Sequence, residues 1–478
     1  MDVEARLHEV EAALLARRPE QSVDLALDRM AELVGLLGDP QRACPVIHIT
    51  GTNGKTSTAR MTDALLRSRG LRTGRFTSPH LVSFRERITI DGAPLTPEQF
   101  VATFDEVIPY VTLVDQNHPV AMSFFEVLTG MAFAAFADAP VDVMVLEVGL
   151  GGRLDCTNVA DGVVAVVTPV SLDHTRLLGG TVAEIAGEKA GIIKPGAVAI
   201  LAQQPVEAAE VLIRHAAEVG ATVAREGIEF GVLGREQAVG GQQLTLRGLR
   251  GVYDELFLPL FGPYQAGNAA CALAAAEAFA GVSGDGPGIP DTAALDADVV
   301  REAFATVGSP GRLEVVRSSP TVIIDAAHNP AGMAATADAI QEVFTFTRLV
   351  GVFAASADKD VAGLLAELEP LVSDIVVTRN SSDRSMDPQA LGELAEEIFG
   401  EDRVTVAERL DDAIEAAVAL ADEAAQTGLP GSGGVLITGS VVTAGDARIL
   451  LAPNGGVLPA EPPSAQPSRH SFTAAELS

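Results

Sequence analysis

The sequence predicts an α/β protein: a P-loop-type domain with a mostly parallel sheet and helices on both faces, then a smaller C-terminal doubly wound α/β domain. Three observations predict it. Residues 46–57, VIHITGTNGKTS, run from a short apolar segment into a glycine-rich turn and a helix-forming stretch. VDVMVLEV at 141–148 and VVAVVT at 163–168 are almost continuously apolar, as parallel strands covered on both faces require. From residue 321 onward, strand-like and helix-like segments alternate a second time.

In chain order, MDVEARLHEVEAALLARR mixes charges of both signs as an amphipathic helix and has no signal-peptide core. The strand at 46–50 feeds Gly51 and Gly54, which let the backbone turn tightly so that its N–H groups can face an anion. Residues 55–69 are good helix formers and Gly70 stops them. Helices are expected at 97–114, 121–138 and 181–190, with a short strand at LRTGRF. Residues 225–260 alternate around Gly240-Gly241 and read as antiparallel strands at the edge of the first domain. An Ala-rich helix at 265–281, the Gly/Pro loop VSGDGPGIPD and a short helix at 296–306 follow. GSPGR at 308–312 has the breakers of an interdomain linker. Beyond it, strands at 321–325, 348–354, 374–378, 403–407 and 434–439 alternate with helices at 331–344, 360–369, 388–399 and 410–425. From Pro453 the chain is polar and Pro-rich, the composition of a disordered tail. The expected division is therefore 1–308, 309–452 and a tail at 453–478.

A chain of 478 residues is too long for one core, and 47% hydrophobic residues suffice for two. Tryptophan is absent, so Ala, Val and Leu must fill the interior. No run approaches the ~18 uninterrupted apolar residues of a spanning helix. Three unpaired cysteines, Cys44, Cys156 and Cys271, fit a reduced cytoplasmic protein better than a disulfide framework or zinc site. The net charge of −31, from 33 basic and 64 acidic residues, argues against nucleic acid or an anionic membrane as partner. Small anionic substrates remain compatible with a local basic cluster.

Chemistry gathers where strands end, the place where open α/β sheets bind ligands. GTNGKT follows 46–50, and its Lys55 adds positive charge at a helix start whose dipole already favours anions. The usual Walker spacing is shortened here, since Ile49 occupies the position of its first glycine. Thr77-Ser78-Pro79-His80 follows LRTGRF, Glu147 with GLGGRLD closes 141–148, and SLDHT follows 163–168. Each has a plainer explanation. Glu147 could pair with Arg153, His174 could be a satisfied interior histidine, and Ser78-Pro79 could cap a turn. Together, a serine oxygen, a carboxylate and an imidazole beside a phosphate loop suit a hard divalent cation that also touches phosphate oxygens.

These stretches resemble the bifunctional dihydrofolate synthase/folylpolyglutamate synthase family of the Mur-ligase superfamily. The resemblance rests on SVDLALDRM (22–30), HITGTNGKTS (48–57), TSPHL with RERI, SFFEVLTGMAF (123–133) and EVGLGGRLDCTN (147–158). It continues through SLDHTRLLGGTVAEIAGEKAGIIKPG (171–196), PYQAGNAA (263–270), SPGRLE (309–314), DAAHNPAG (325–332) and TGSV (438–441). It covers most of residues 20–450 in order.

The resemblance implies an ATP-dependent ligase joining L-glutamate to 7,8-dihydropteroate, to the γ-carboxylate of folates, or to both; a monomer is the simplest expectation for its oligomeric state. Gly51, Thr52, Asn53, Gly54, Lys55, Thr56 and Ser57 would cradle ATP, with Asn268, Arg312, Asp325 and His328. Ser78, Glu147 and His174 would hold Mg2+, two ions in all. Lys189 matches a carbamylated lysine; read alone, it could instead be a solvated lysine paired with Glu188 or Glu184. Lys55, His174 and Lys189 are the implied catalytic set. Met122, Ser123, Phe124, Phe125, Leu154, Asp155 and Cys156 match pterin-binding walls, with Asp28 and Arg29 nearby. This chain departs from the pattern with Thr56 where many members have Gly and Cys156 where Ala is usual. It also has no aromatic after Gly439-Ser440, which leaves the role of Ser440 open. A peptidoglycan ligase of the superfamily carries a UDP-binding domain, for which the roughly 45 residues before the first strand are too few. A P-loop kinase or GTPase would not need DAAHNP in a second domain. A non-catalytic nucleotide-binding regulator would not need Glu147, His174 and Lys189 together.

Overall fold

The computed structural model describes residues 2–19, 26–282, 294–426 and 432–451. Most of the expected Gly/Pro loop, the first residues of SVDLALDRM and the tail lie outside them.

The largest sheet contains β1 (Val46–Thr50), β2 (Thr73–Phe76), β3 (Ile88–Ile90), β4 (Ala93–Pro94), β5 (Val143–Glu147), β6 (Gly162–Val167), β7 (Val198–Leu201) and β8 (Thr222–Arg225). Their order is β4-β3-β2-β5-β1-β6-β7-β8. All pairings from β2 to β8 are parallel, and β3 and β4 add an antiparallel edge. Successive side chains of a strand face opposite sides. Ile47, Ile49, Val143 and Val145 pack under the helices Lys55–Ser68 and Pro263–Val282, whereas Val46, Met144 and Leu146 join Phe100, Phe104, Phe133 and Phe136 on the other face. Each such fully buried side chain contributes ~1.5–3 kcal/mol relative to exposure.

Three antiparallel strands, β9 (Gly231–Ala238), β10 (Gly241–Arg247) and β11 (Val252–Leu258), form a separate small sheet, as the 225–260 pattern suggests. The second large sheet contains β12 (Glu314–Ser318), β13 (Thr321–Ile324), β14 (Phe346–Phe353), β15 (Asp374–Val377), β16 (Val404–Val406) and β17 (Ser432–Thr438). Its order is β12-β13-β17-β14-β15-β16, with only β12 antiparallel.

Most expected helices recur within a few residues. The helix placed at 121–138 begins at Phe124 instead, because Ser123 caps it reciprocally with Glu126. Elements the pattern did not suggest include β3, β4, β7, the helix Val206–Glu218, β8, β12, and the helices Asp28–Leu36 and Val441–Leu451. β12 has no fully buried residue, and its sequence EVVRS carries no apolar/polar alternation to read.

Candidate active site

The sheet order makes neighbours of the four strand ends that carry chemistry. β2, β5, β1 and β6 are consecutive, and the register sets Ile49 opposite both Glu147 and Val166. Their carboxyl ends therefore open on one crevice. Gly51 and Gly54 take positive φ of 147° and 91°. A Cβ at Gly51 would lie 1.8 Å from Thr168 Oγ1, and one at Gly54 would lie 2.4 Å from Asn268 Oδ1. Asn268 thus presses on the loop from the Ala-rich helix. Thr52 fastens the turn by bonding the Pro169 carbonyl through its N–H and exchanging hydrogen bonds with Ser171. Lys55 Nζ donates to the carbonyls of Gly51 and Thr52 at 3.2 and 3.0 Å. Ser57 meets Ser309 at 2.9 Å.

Glu147 is buried at the end of β5, and its two oxygens accept from Thr56 Oγ1 at 2.9 Å and the Ser78 N–H at 3.2 Å. Burial pushes its carboxyl upward, while Lys55 and Arg312 pull toward the charged form. It does not pair with Arg153, which bonds Glu188 instead. The Gly-Gly turn after β5 packs tightly on the helix Val182–Ala190, where a Cβ at Gly152 would lie 2.8 Å from the Glu188 carbonyl. That helix delivers Lys189, 4% exposed, whose Nζ donates to the Gly51 carbonyl at 2.7 Å. Burial first, and Lys55 second, lower its pKa to about 7. Neither Glu184, in the Thr181 capping box, nor Glu188 pairs with it among the described contacts. Lys189 belongs to the crevice.

His174 adopts φ 49°, a left-handed conformation uncommon outside glycine and found where function holds strain. It is part-exposed at the crevice, and its surroundings lower its pKa to about 4, burial before the nearby lysines. At neutral pH the ring therefore keeps a nitrogen lone pair. Its neighbour Asp173 is half-buried and is met by the second domain. Lys359 Nζ lies 2.8 Å from one oxygen, Asn329 Nδ2 3.1 Å from the other, and His328 Nε2 3.8 Å away. Asn329 also exchanges 3.2 Å hydrogen bonds with Asn53 of the loop. The motifs placed His328 here but missed Lys359 and the bridging of Asp173. Lys359 follows β14, another strand ending at the crevice, and that position was the available signal.

Arg312 sits between Gly311 (φ 68°) and Leu313 (φ 46°). Asp325 fixes this tip by accepting from the Leu313 N–H at 2.9 Å, with its other oxygen held by the Ala327 N–H and Thr336. Asp325 is thus fully engaged in bracing the turn that presents Arg312. A small pocket joins Arg312 to Thr56, Arg60, Thr77, His80 and Ser309. Ser440 is a helix cap, accepting from the Val442 N–H at 3.0 Å.

The residues matched to pterin walls also converge, with differing exposure. Phe125 stacks near Phe76 at 5.6 Å and abuts Gly149, and Cys156 meets Thr129 at 3.1 Å. Phe124 lies under Arg87 at 5.0 Å. Leu154 is half-buried. Met122 is wholly buried in the core, and Ser123 is occupied as a cap. Asp155 caps the 156–159 turn through Thr157. Arg29 is buried against Glu126 at 2.9 Å, whereas Asp28 is exposed one residue earlier. Among the described residues no three His, Cys, Asp or Glu side chains form a metal cluster. Ser78 and Glu147, joined by a hydrogen bond, offer oxygens and His174 offers a nitrogen, with Lys55 near enough to act electrostatically on both Glu147 and His174. An incomplete donor set suits Mg2+, which takes one or two protein carboxylates and completes its shell with water and phosphate oxygens.

A glycine-rich phosphate loop on one parallel sheet, facing a second doubly wound domain across a polar crevice, defines a nucleotide-dependent ligase of the Mur type. The comparisons agree. The Mur ligase middle domain matches residues 49–276 and the Mur ligase glutamate ligase domain matches 311–441. A dihydrofolate synthase/folylpolyglutamate synthase of Mycobacterium tuberculosis is 53% identical over 465 residues, 94% of each chain. One from Escherichia coli is 34% identical over 354 residues, 74% of this chain and 77% of the relative. The solved Mycobacterium tuberculosis folylpolyglutamate synthase complexed with ADP superposes with a TM-score of 0.89 at 53% identity, covering 96% of this chain and all of that one. An Escherichia coli structure with DHPP and ADP gives 0.78 at 30% identity, covering 93% and 97%. The chain belongs to the dihydrofolate synthase/folylpolyglutamate synthase family of Mur ligases, ADP-forming ligases.

Proposed function

We propose that this chain uses ATP to join L-glutamate to 7,8-dihydropteroate, to the γ-carboxylate of folates already bearing glutamate, or to both. The observation that carries the reading is the crevice itself, where Lys55 and Glu147 lie within electrostatic reach of Arg312 on the turn that leads into the second sheet. A carboxylate is a poor acyl donor. Its oxygen therefore attacks the γ-phosphorus of ATP, ADP leaves, and an acyl phosphate forms. The neutral amine of glutamate then attacks the carbonyl carbon, inorganic phosphate departs, and the amine loses its proton as the amide forms. Phosphoryl transfer needs positioning and charge neutralisation more than covalent help from protein.

In this reading residues 51–57 cradle the phosphates and Lys55 turns from its loop carbonyls onto them. Arg312 neutralises the transferring group, while Asn268, Asp325 and His328 shape the nucleotide site. Ser78, Glu147 and His174 would hold two Mg2+ ions, which supply positive charge to phosphate oxygens. Lys189 reacts with CO₂ as the neutral amine and, as a carbamate, adds an anion to that cation site. Phe124, Phe125, Leu154, Asp155 and Cys156 bound the pterin, with Met122, Ser123, Asp28 and Arg29 setting the shape of its surroundings. The proposed partition is 1–308 for the ATPase part, 309–452 for the glutamate-ligase part and 453–478 as a tail. No helix of the described residues is long and apolar enough to cross a membrane. The acidic charge supports small-molecule substrates over nucleic acid or an anionic membrane, and the proposal takes the chain as a cytoplasmic monomer. ADP release, measured with magnesium and glutamate, should appear with dihydropteroate or tetrahydrofolate monoglutamate and not with a UDP-muramyl acceptor. Lys55→Ala and Glu147→Ala should abolish it while leaving the fold intact; turnover at the wild-type rate would refute the assignment.

A further inference from the structure

We propose that Asp173 and Lys359 form a latch that closes the second domain over the phosphate loop, which makes Lys359 a positioning residue for the reaction. Across the crevice, both oxygens of Asp173 are engaged by the second domain, Oδ1 by Lys359 at 2.8 Å and Oδ2 by Asn329 at 3.1 Å. The pair is mostly withdrawn from water, with side-chain exposures of 16% for Lys359 and 12% for Asp173. Breaking such a pair leaves an uncompensated, poorly solvated charge, unlike the loss of an exposed surface pair. Its location adds consequence. Lys359 Nζ also reaches His174 Nε2 at 3.5 Å, and Asn329 clasps Asn53 of the loop while capping the helix Pro330–Val343 through the Gly332 N–H at 2.8 Å. One latch therefore fixes the rotation of a second-domain helix, the loop amide and the His174 ring together.

The interface chemistry suits a reversible contact. Around the phosphate loop the bridging pairs are polar: Asp173 with Lys359 and Asn329, Asn53 with Asn329, and Ser57 with Ser309. Apolar contact between the domains is carried elsewhere, by Leu81, Phe261 and Tyr264 packing on second-domain cores. Polar interdomain contacts can part without exposing a core, and relative domain motion is their ordinary behaviour. A carboxylate this near the phosphate loop would also repel nucleotide if Lys359 did not neutralise it. Closing the latch therefore removes an electrostatic obstacle in the same movement that brings the second domain near.

The latch deepens the ligase reading and rests on it only for the choice of substrates. Small-angle X-ray scattering of the ligand-free full chain tests it separately. Lys359→Met and Asp173→Asn should each increase the radius of gyration, and Lys359→Arg should keep the wild-type profile. Thermal unfolding confirms that each variant is folded, and the isosteric Asp173→Asn keeps the test available if the methionine variant is not. In the ligase assay the opened variants should lose roughly 10–100-fold in kcat, the scale of a small misplacement, with little change in KM for the pterin acceptor. A wild-type scattering profile in a folded Asp173→Asn or Lys359→Met variant overturns the latch, as does an arginine variant as open as the methionine one. Absence of ligase activity in the wild type, with the scattering changes intact, would refute the substrate reading and leave the latch standing.

Discussion

Lys189 shows how a single burial changes chemistry. Its ammonium is withdrawn from water and placed near Lys55, which lowers its pKa from 10.5 to about 7. Between those values the unfolded chain holds a proton that the folded chain has released. Stability therefore rises with pH across that interval. The same neutral amine is the form that reacts with CO₂. Carbamate formation from isotopically labelled bicarbonate, followed by NMR, should rise with a midpoint near pH 7 and vanish in Lys189→Ala. That variant should lose roughly 10–100-fold in activity, the usual scale for a group supporting a metal site, and recover part of it with acetate. Unchanged activity would return Lys189 to a merely structural role. His174, lowered from 6.5 to about 4, has the same sign in a more acidic window: between those values the unfolded chain holds a proton that the folded chain has released. Stability therefore falls as pH drops from 6.5 toward 4, whereas nucleotide affinity measured with magnesium should hold until the folded ring itself protonates near pH 4 and weaken only there. At this scale Lys55, Glu147 and His174 were legible because each stands at a strand end with a glycine-rich or polar motif. Lys359 was not, because ASADKD looks like any solvated loop until β14 is set beside β17.

Elements were legible where local chemistry decides them. Thr96, Ser123 and Thr181 each form capping boxes with Gln99, Glu126 and Glu184, and all three helices were anticipated. The apolar runs of β5 and β6 were equally plain. β12 escaped because it is an exposed edge strand whose partner, β13, supplies the hydrogen bonds but no burial pattern. The strand–turn–helix unit around residues 46–68 makes a sharper demand on sequence. A methyl at Gly51 would meet Thr168 Oγ1 at 1.8 Å, inside any tolerable contact, and the donor belongs to β6's rigid exit. At Gly54 the obstacle is the Asn268 side chain, which can turn aside. Left-handed backbone itself costs an alanine ~1–2 kcal/mol. Gly51→Ala should therefore lower the urea midpoint more than Gly54→Ala, while both weaken ADP binding by calorimetry. Equal ADP affinity in either variant would mean that the loop is not the phosphate cradle.

At the scale of the whole molecule, the proposed site is divided between the two domains. The first supplies Lys55, Glu147 and Lys189, and the second-domain side supplies Arg312 and His328. Because the sequence is one line of residues, SPGRLE and GTNGKT look unrelated until two sheets present their carboxyl ends to each other. The net charge of −31 sharpens the need for this arrangement, since ATP approaches a protein whose outer field repels it and must be compensated locally. Arg312 is the test of that division. Its guanidinium favours the charged form of Glu147 and sits on a turn that Asp325 holds in a left-handed bend, so it is aimed before substrate arrives. If it neutralises the transferring phosphoryl group, its contact strengthens in the transition state and contributes little to ground-state affinity. Arg312→Ala should then lower kcat by roughly 10³–10⁵, the range of arginine contacts to a transferring phosphoryl group. ADP affinity should change only slightly, and Arg312→Lys should recover part of the rate because it restores charge without the planar fork. A variant that instead loses ADP affinity in step with kcat would make Arg312 a ground-state anchor, and closure would then serve binding rather than phosphoryl transfer.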